Sequence, residues 1–171
     1  MFRFAHPLIG FKSVIKSILF ICLGNICRSP TAEYIFREKA KISKLDMFCD
    51  SAGTASWHVG SFPYEPMQVA AQGRGFDISK LRARQITIAD FEDFDLLVVM
   101  DNENRSKLKK LCPEQLHKVQ LLTDYSLEDL AYDYVPGPYY ARNFNQALDI
   151  IETSLNGLVE SLKNHNNYLK Q

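Results

Sequence analysis

A thiol and a guanidinium, Cys22 and Arg28, stand six positions apart in the segment Cys22-Leu23-Gly24-Asn25-Ile26-Cys27-Arg28-Ser29-Pro30. A thiolate is a strong nucleophile, and positive surroundings stabilise it. Arginine presents a planar fork that holds two oxygens of a tetrahedral anion at once. Gly24 lets backbone approach a ligand with no Cβ in the way. Ser29 can donate a hydrogen bond to the sulfur, and the side-chain amide of Asn25 can brace the loop. Together these residue types describe a cup for an oxyanion, with sulfur at its floor and guanidinium at its side. The bland alternative for a cysteine is a small core residue, and that reading suits Cys49 and Cys112, which have no such company. Zinc is disfavoured, because the Cys22–Cys27 pair has no second Cys or His pair at ligand spacing.

Elements must hold such a loop in place. The apolar run Ser17 to Cys22 reads as a buried strand. Ser29 suits an N-cap and Pro30 a first helical turn, so a helix opens there, with Ala32, Ile35, Phe36 and Ala40 on one face. Met47 to Ser51 reads as a second strand, and Gly53 to Pro66 as a loop that carries Trp57, the one tryptophan. Met67 to Arg74 is a helix ended by Gly75. Thr87 and Asp90 match a capping arrangement. Asp95 to Met100 is a third strand, apolar enough to be covered on both faces. Asn102 to Leu111 is a helix with Asp101 as its cap, Val119 to Leu122 a fourth strand, and 123–142 an irregular stretch. Phe144, Leu148, Ile151, Leu155, Leu158 and Leu162 form one apolar stripe along a final helix. Strands alternating with helices predict an α/β fold: a four-stranded parallel sheet with helices on both faces, and a phosphate-binding loop between the first strand and the first helix. Ligands of such sheets bind at the carboxyl ends of strands, where this loop falls.

The chain has 171 residues, enough for one domain with a real core. Residues 1–16 read as an N-terminal extension, in which Phe2, Phe4, Ile9 and Phe11 could pack on the domain, and 17–171 as that domain. Twenty basic residues balance twenty acidic ones, so no nucleic-acid surface is expected. No run is long enough to span a membrane, and the short apolar stretch before Arg28 lacks a small-residue cleavage site, against a signal peptide. Four cysteines do not make a disulfide framework, and a reducing, cytoplasmic setting is expected.

The nine-residue loop, continued by Thr31-Ala32-Glu33, closely resembles the low-molecular-weight protein tyrosine phosphatases. Asp50-Ser51-Ala52-Gly53-Thr54, Ala83-Arg84-Gln85-Ile86, Met100-Asp101-x2-Asn104 and Pro136-x-Pro138-Tyr139-Tyr140 extend the resemblance from about Lys16 into the last helix. It implies a reaction in two steps without metal or other cofactor. Cys22 attacks the phosphorus of a phosphotyrosine protein or a small aryl phosphate, Arg28 and the backbone N–H groups of Leu23, Gly24, Asn25, Ile26, Cys27 and Arg28 hold the phosphate, and water releases inorganic phosphate. Trp57, Tyr139 and Tyr140 would wall a slot deep enough for a phenyl phosphate. Cys27 matches members in which a second loop cysteine forms a reversible disulfide with the nucleophile, although it can equally be a buried filler.

One position departs from the family. Gly137 stands where the motif carries the aspartate that protonates the leaving oxygen and later activates water. General acid–base catalysis is worth roughly 10²–10⁴-fold. A weakened phosphatase, a phosphotyrosine-binding module, a substitution that traps substrate, and rescue by Asp133 are the readings this leaves, the last disfavoured because no local rule puts Asp133 in the pocket. Arsenate reduction shares the loop but relays electrons through further cysteines, and residues 50–111 contain none. His58 reads as a polar loop residue beside Trp57.

Overall fold

A computed structural model describes residues 7–171, so Phe2 and Phe4 lie outside the described residues. Four parallel strands, β1 (Ser17–Cys22), β2 (Phe48–Gly53), β3 (Leu96–Val99) and β4 (Val119–Leu121), lie in the order β2-β1-β3-β4. Side chains of β1 alternate between two cores, as strand geometry requires. Ile18, Phe20 and Cys22 face the core built with α1 (Arg28–Ile42) and α6 (Phe144–Leu169), whereas Leu19 and Ile21 face the core that holds Phe91 of α3 (Ile88–Asp93) and Leu108 of α4 (Asn102–Leu111). The expected α/β architecture, with helices on both faces, is therefore present. Two short helices, α2 (Glu65–Gln72) and α5 (Pro138–Ala141), flank the carboxyl end of the sheet's site, and α5 interrupts the stretch 123–142 that the sequence leaves irregular.

The chain leaves β1 toward β2 on one side, and β3 adds on the other. The crevice above the carboxyl end of β1 is thus the switch point at which open parallel sheets bind ligands. Cys22 is the last residue of β1, in register with Gly53.

Several boundaries shift by a few residues. The first helix begins at Arg28 with Cys27 as its N-cap, so Ser29 does not cap it. The Ser29 hydroxyl turns instead to the sulfur of Cys22, and no side chain accepts from the first-turn amides. The second helix starts earlier than expected, at Glu65, and the chain turns out of it at Gly75, whose φ of 84° requires glycine or strain. The Thr87–Asp90 capping box is formed.

The segment before β1 is joined to the domain. Leu8 and Ile15 are buried, Phe11 packs against the same core, and Ile9 is exposed. Ile15 N–H donates to Asn166 Oδ1 and Asn166 Nδ2 donates to Ile15 O, each at 2.9 Å, which ties the approach to β1 onto the end of α6. Asp95 accepts from the N–H of Lys16 at 2.7 Å and of Ser17 at 3.2 Å, setting β1 beside β3.

Candidate active site

The loop from Cys22 to Arg28 is braced from three sides by backbone. Thr54 N–H donates to Cys22 O at 2.9 Å, Ala55 N–H to Leu23 O at 3.0 Å, and Tyr64 N–H to Ile26 O at 2.8 Å. Gly53 permits this approach, because a Cβ there would lie 2.8 Å from Leu23 O and 3.2 Å from Asn25 N. Asn25 adopts a left-handed φ of 56°, a conformation asparagine tolerates better than most residues and one often found at functional sites. No protein acceptor takes the N–H of Gly24, Ile26 or Cys27 among the described residues.

Cys22 Sγ lies 2.9 Å from Ser29 Oγ and accepts from Asn25 N–H at 3.3 Å. Both contacts suit a sulfur that carries negative charge. Behind them runs a buried polar chain. Asn25 Nδ2 donates to Ser29 Oγ at 2.8 Å and to Ser51 Oγ at 2.9 Å, and Ser51 Oγ donates to Glu33 Oε1 at 2.8 Å. Asn25 Oδ1 accepts from the backbone N–H of Arg84 at 3.0 Å. Because Asn25 supplies protons to Ser29 Oγ, that hydroxyl can point its own hydrogen at the sulfur, 2.9 Å away, in preference to Ala52 O at 3.5 Å. Burial pushes the Glu33 carboxyl up, against hydrogen bonds from Ser51 and Arg37.

Arg28 is held on one edge only. Its Nη1 donates to Asp101 Oδ2 at 2.6 Å and to Val135 O at 3.0 Å. The Nε–Nη2 edge makes no hydrogen bond among the described residues and faces Gly137, where a built Cβ would lie 3.9 Å from Nη2 and 4.0 Å from Nε. That edge is the one a tetrahedral anion can share through two parallel bonds.

Above the sulfur opens a cavity lined by Cys22, Leu23, Gly24, Ile26, Cys27 and Arg28 below and by Trp57, His58, Gly137, Tyr139 and Tyr140 around the mouth. Cys22 is 3% exposed; it ends the row of β1 side chains in the α1–α6 core and also lines this opening. Trp57 is 70% exposed and Tyr140 88%, so both stand at the rim and neither fills core. Tyr139 is anchored by Tyr64 at a centroid distance of 4.7 Å. The structure thus brings together the sequence-derived residues Cys22, Asn25, Cys27, Arg28, Ser29, Trp57, Gly137, Tyr139 and Tyr140. Asp133 stays out: its side chain is exposed, and only its carbonyl is engaged, by Thr123.

Burial, then the neighbouring Cys22, pushes the Cys27 thiol up to about 12, so Cys27 is a neutral thiol at physiological pH. All four cysteines are free. Cys49 and Cys112 are buried, as expected of core residues.

Four site residues escape the sequence. Asp101 looks like a helix cap and is one, accepting from Asn104 N–H at 2.7 Å, but its second oxygen grips Arg28. Its position after β3, the neighbour of β1, was the available signal. Ser51 and Glu33 lie on β2 and α1, and only the register of those elements joins them. His58 lines the cavity although nothing in its local sequence beyond adjacent Trp57 suggests so.

Among the described residues, no group of His, Cys, Asp and Glu is arranged to hold a metal ion, and no helix is long and apolar enough to cross a membrane.

The family model "low molecular weight phosphotyrosine protein phosphatase" matches residues 17–168. The Bacillus subtilis low molecular weight protein-tyrosine-phosphatase YfkJ is 39% identical over 150 residues, 86% of this chain and 96% of that protein. Its crystal structure superposes with a TM-score of 0.84 at 37% identity, covering 90% of this chain and 98% of that one. Vibrio vulnificus Wzb, solved in complex with benzylphosphonate, superposes with a TM-score of 0.75 at 25% identity over 85% of this chain and 98% of its own. With the matched model spanning nearly the whole chain and the cysteine cup at the expected strand end, this protein belongs to the low molecular weight phosphotyrosine protein phosphatase family, whose activity is that of a protein tyrosine phosphatase.

Proposed function

We propose that the chain hydrolyses phosphotyrosine through a phosphocysteine on Cys22, with turnover held down by the glycine at 137. The observation that carries this reading is the sulfur at the floor of an open cavity, given hydrogen bonds by Ser29 and Asn25, beside an Arg28 whose Nε–Nη2 edge is unoccupied. In the first step the Cys22 Sγ–phosphorus bond forms, the bond to the aryl oxygen breaks, and its electron pair leaves on that oxygen. In the second, water attacks phosphorus and the electron pair of the S–P bond returns to sulfur. Loop N–H groups and Arg28 hold the equatorial oxygens throughout. The aromatic rim of Trp57, Tyr139 and Tyr140 fits an aryl group, and the benzylphosphonate bound by Wzb has the same pairing of ring and tetrahedral anion. Phosphotyrosine proteins and small aryl phosphates are the substrates, and inorganic phosphate the product.

Reduced turnover follows from what lines the cavity. It contains no carboxylate. Asp101 is bound to Arg28 and to the Asn104 amide, and Asp133 faces solvent. Nothing in the backbone requires glycine at 137, where φ is −72° and ψ 110°. A Cβ there would meet only the Arg28 guanidinium, at 3.8 Å or more. Aspartate therefore fits, and Gly137→Asp should raise turnover by up to roughly 10²–10⁴-fold on phenyl phosphate and least on p-nitrophenyl phosphate, whose leaving group needs little help. Rates raised equally across the series would contradict the missing acid. Hydrolysis that survives Cys22→Ser would contradict the nucleophile. Tight phosphopeptide binding with no phosphate release, in the parent and in Gly137→Asp alike, would favour a binding module instead.

Cys27 completes the reading as a resolving thiol. Peroxide oxidises Cys22 to a sulfenic acid, the Cys27 sulfur displaces the hydroxyl, a disulfide forms, and water leaves.

A further inference from the structure

The cavity above Cys22 lacks a carboxylate but contains an imidazole. His58 lines it together with Cys22, Arg28 and Gly137. A Cβ built at Gly24 would lie 3.1 Å from His58 Cδ2 and 3.7 Å from its Nε2, so glycine at this loop position makes the room that the ring occupies over the cup. On its other side the ring meets Tyr139, at a centroid distance of 6.4 Å. No described residue forms a hydrogen bond with either ring nitrogen; the residue's one polar contact is its carbonyl, which accepts from Ser61 N–H at 2.8 Å. The imidazole is thus half-buried beside the loop, with both nitrogens unpartnered among the described residues.

We propose that His58 is a further catalytic residue, whose imidazolium protonates the departing oxygen in place of the acid absent at Gly137. This rests on the phosphatase reading of the site. As sulfur bonds to phosphorus, the aryl oxygen leaves with the electron pair of the broken P–O bond and takes the proton from His58. The neutral imidazole then accepts a proton from the water that attacks phosphocysteine, which returns His58 to the imidazolium and Cys22 to the thiolate. Contact is direct or through one ordered water, as general acids allow.

The charged and titratable side chains that share the cavity lining with His58 are Cys22, Cys27 and Arg28 from the loop and α1, and Tyr139 and Tyr140 from α5; of these, Tyr139 meets the ring. Cys27 is a neutral thiol and the lining holds no carboxylate, so the imidazole is the lining group whose chemistry suits giving and regaining a proton.

The test compares the parent chain, His58→Asn, Gly137→Asp and the double variant on phenyl phosphate and p-nitrophenyl phosphate across pH. The expected result is a fall in kcat of about 10²-fold for phenyl phosphate in His58→Asn, a much smaller fall for p-nitrophenyl phosphate, and loss of the alkaline limb of the kcat profile. In the Gly137→Asp background the same substitution should cost below about tenfold, because a carboxylic acid then does the work. A loss equal in both backgrounds and for both substrates, as a packing role gives, would overturn the proposal, and so would no loss at all. His58→Ala adds an independent reading: imidazole in solution should restore phenyl phosphate turnover, and absence of rescue counts against a proton carrier. Cys22-dependent hydrolysis that ignores His58 sinks this proposal alone. Absence of hydrolysis in both the parent and Gly137→Asp sinks the phosphatase reading with it.

Discussion

Asn25 shows how much of the cup depends on a single side chain. It sits at a φ of 56°, its amide nitrogen reaches Ser29 and Ser51, and its amide oxygen takes the Arg84 N–H. Replacing it with alanine removes three hydrogen bonds of about 1 kcal/mol each and leaves a Cβ in left-handed backbone. Asn25→Ala should therefore lower kcat/KM on an aryl phosphate by at least about tenfold, since about 1.4 kcal/mol already corresponds to that factor. Inhibition by inorganic phosphate should weaken in parallel, because both need the shaped loop. Asn25→Gly should recover only the backbone share. Unchanged phosphate inhibition in the alanine variant would show that the loop holds its form without the network. Arg28 is the complementary case: Asp101 and Val135 fix one edge of its guanidinium, and the fixed edge aims the other. Asp101 neutralises charge at the site while it orients the fork, so its two oxygens have separate tasks, one for α4 and one for the anion site.

Elements set these residues by close approach. Helix α6 crosses the turn at Tyr125 at Gly157, where a Cβ would fall 1.7 Å from Tyr125 O. No rotamer of a flexible neighbour can relieve a clash with backbone. Gly157→Ala should destabilise the fold by about 3 kcal/mol, at the upper end of overpacking costs, read as a lower urea midpoint. An unchanged midpoint would mean that α6 can slide away from the turn. Arg84 joins β2 to α3, with Nε to Asp50 at 2.9 Å and its fork on both oxygens of Asp90 at 3.0 Å. Burial by itself raises the Asp90 carboxyl, but Arg84 and the Thr87 N–H outweigh burial and hold it below its ordinary range. A depressed carboxylate contributes stability above its unfolded value of about 4, and that contribution fades as pH falls through the folded value. Asp90→Asn should thus cost about 1.5–3 kcal/mol at pH 7, the worth of hydrogen bonds to a charged group, and progressively less toward pH 3. A difference that stays constant across this range would contradict the linkage.

Across the whole molecule, what was legible in the sequence was whatever a local pattern dictates. The apolar run of β1, the Thr87–Asp90 box, the α6 stripe and the Cys22–Arg28 loop each carry their own signature, and strand–helix alternation then determines the parallel sheet. The residues it concealed are those joined by register. Glu33 on α1 meets Ser51 on β2, Asp101 after β3 meets Arg28 on α1, and His58 in a loop meets Gly24, and no spacing rule links such pairs. Ser29 misleads for a related reason. Its type suits an N-cap, but the sulfur of Cys22 offers its hydroxyl a partner that the helix would otherwise supply. The net charge is zero, so the overall field of the molecule offers no general attraction for a phosphate. The proposed activity therefore turns on covalent chemistry at one sulfur. Rapid quench of the chain with excess p-nitrophenyl phosphate, followed by intact-mass and peptide mass spectrometry, reads that chemistry directly. The prediction is one phosphoryl group per chain, on the peptide that carries Cys22 and absent in Cys22→Ser; phosphate release with no phosphoryl group on Cys22, or with one on any other residue, would contradict it.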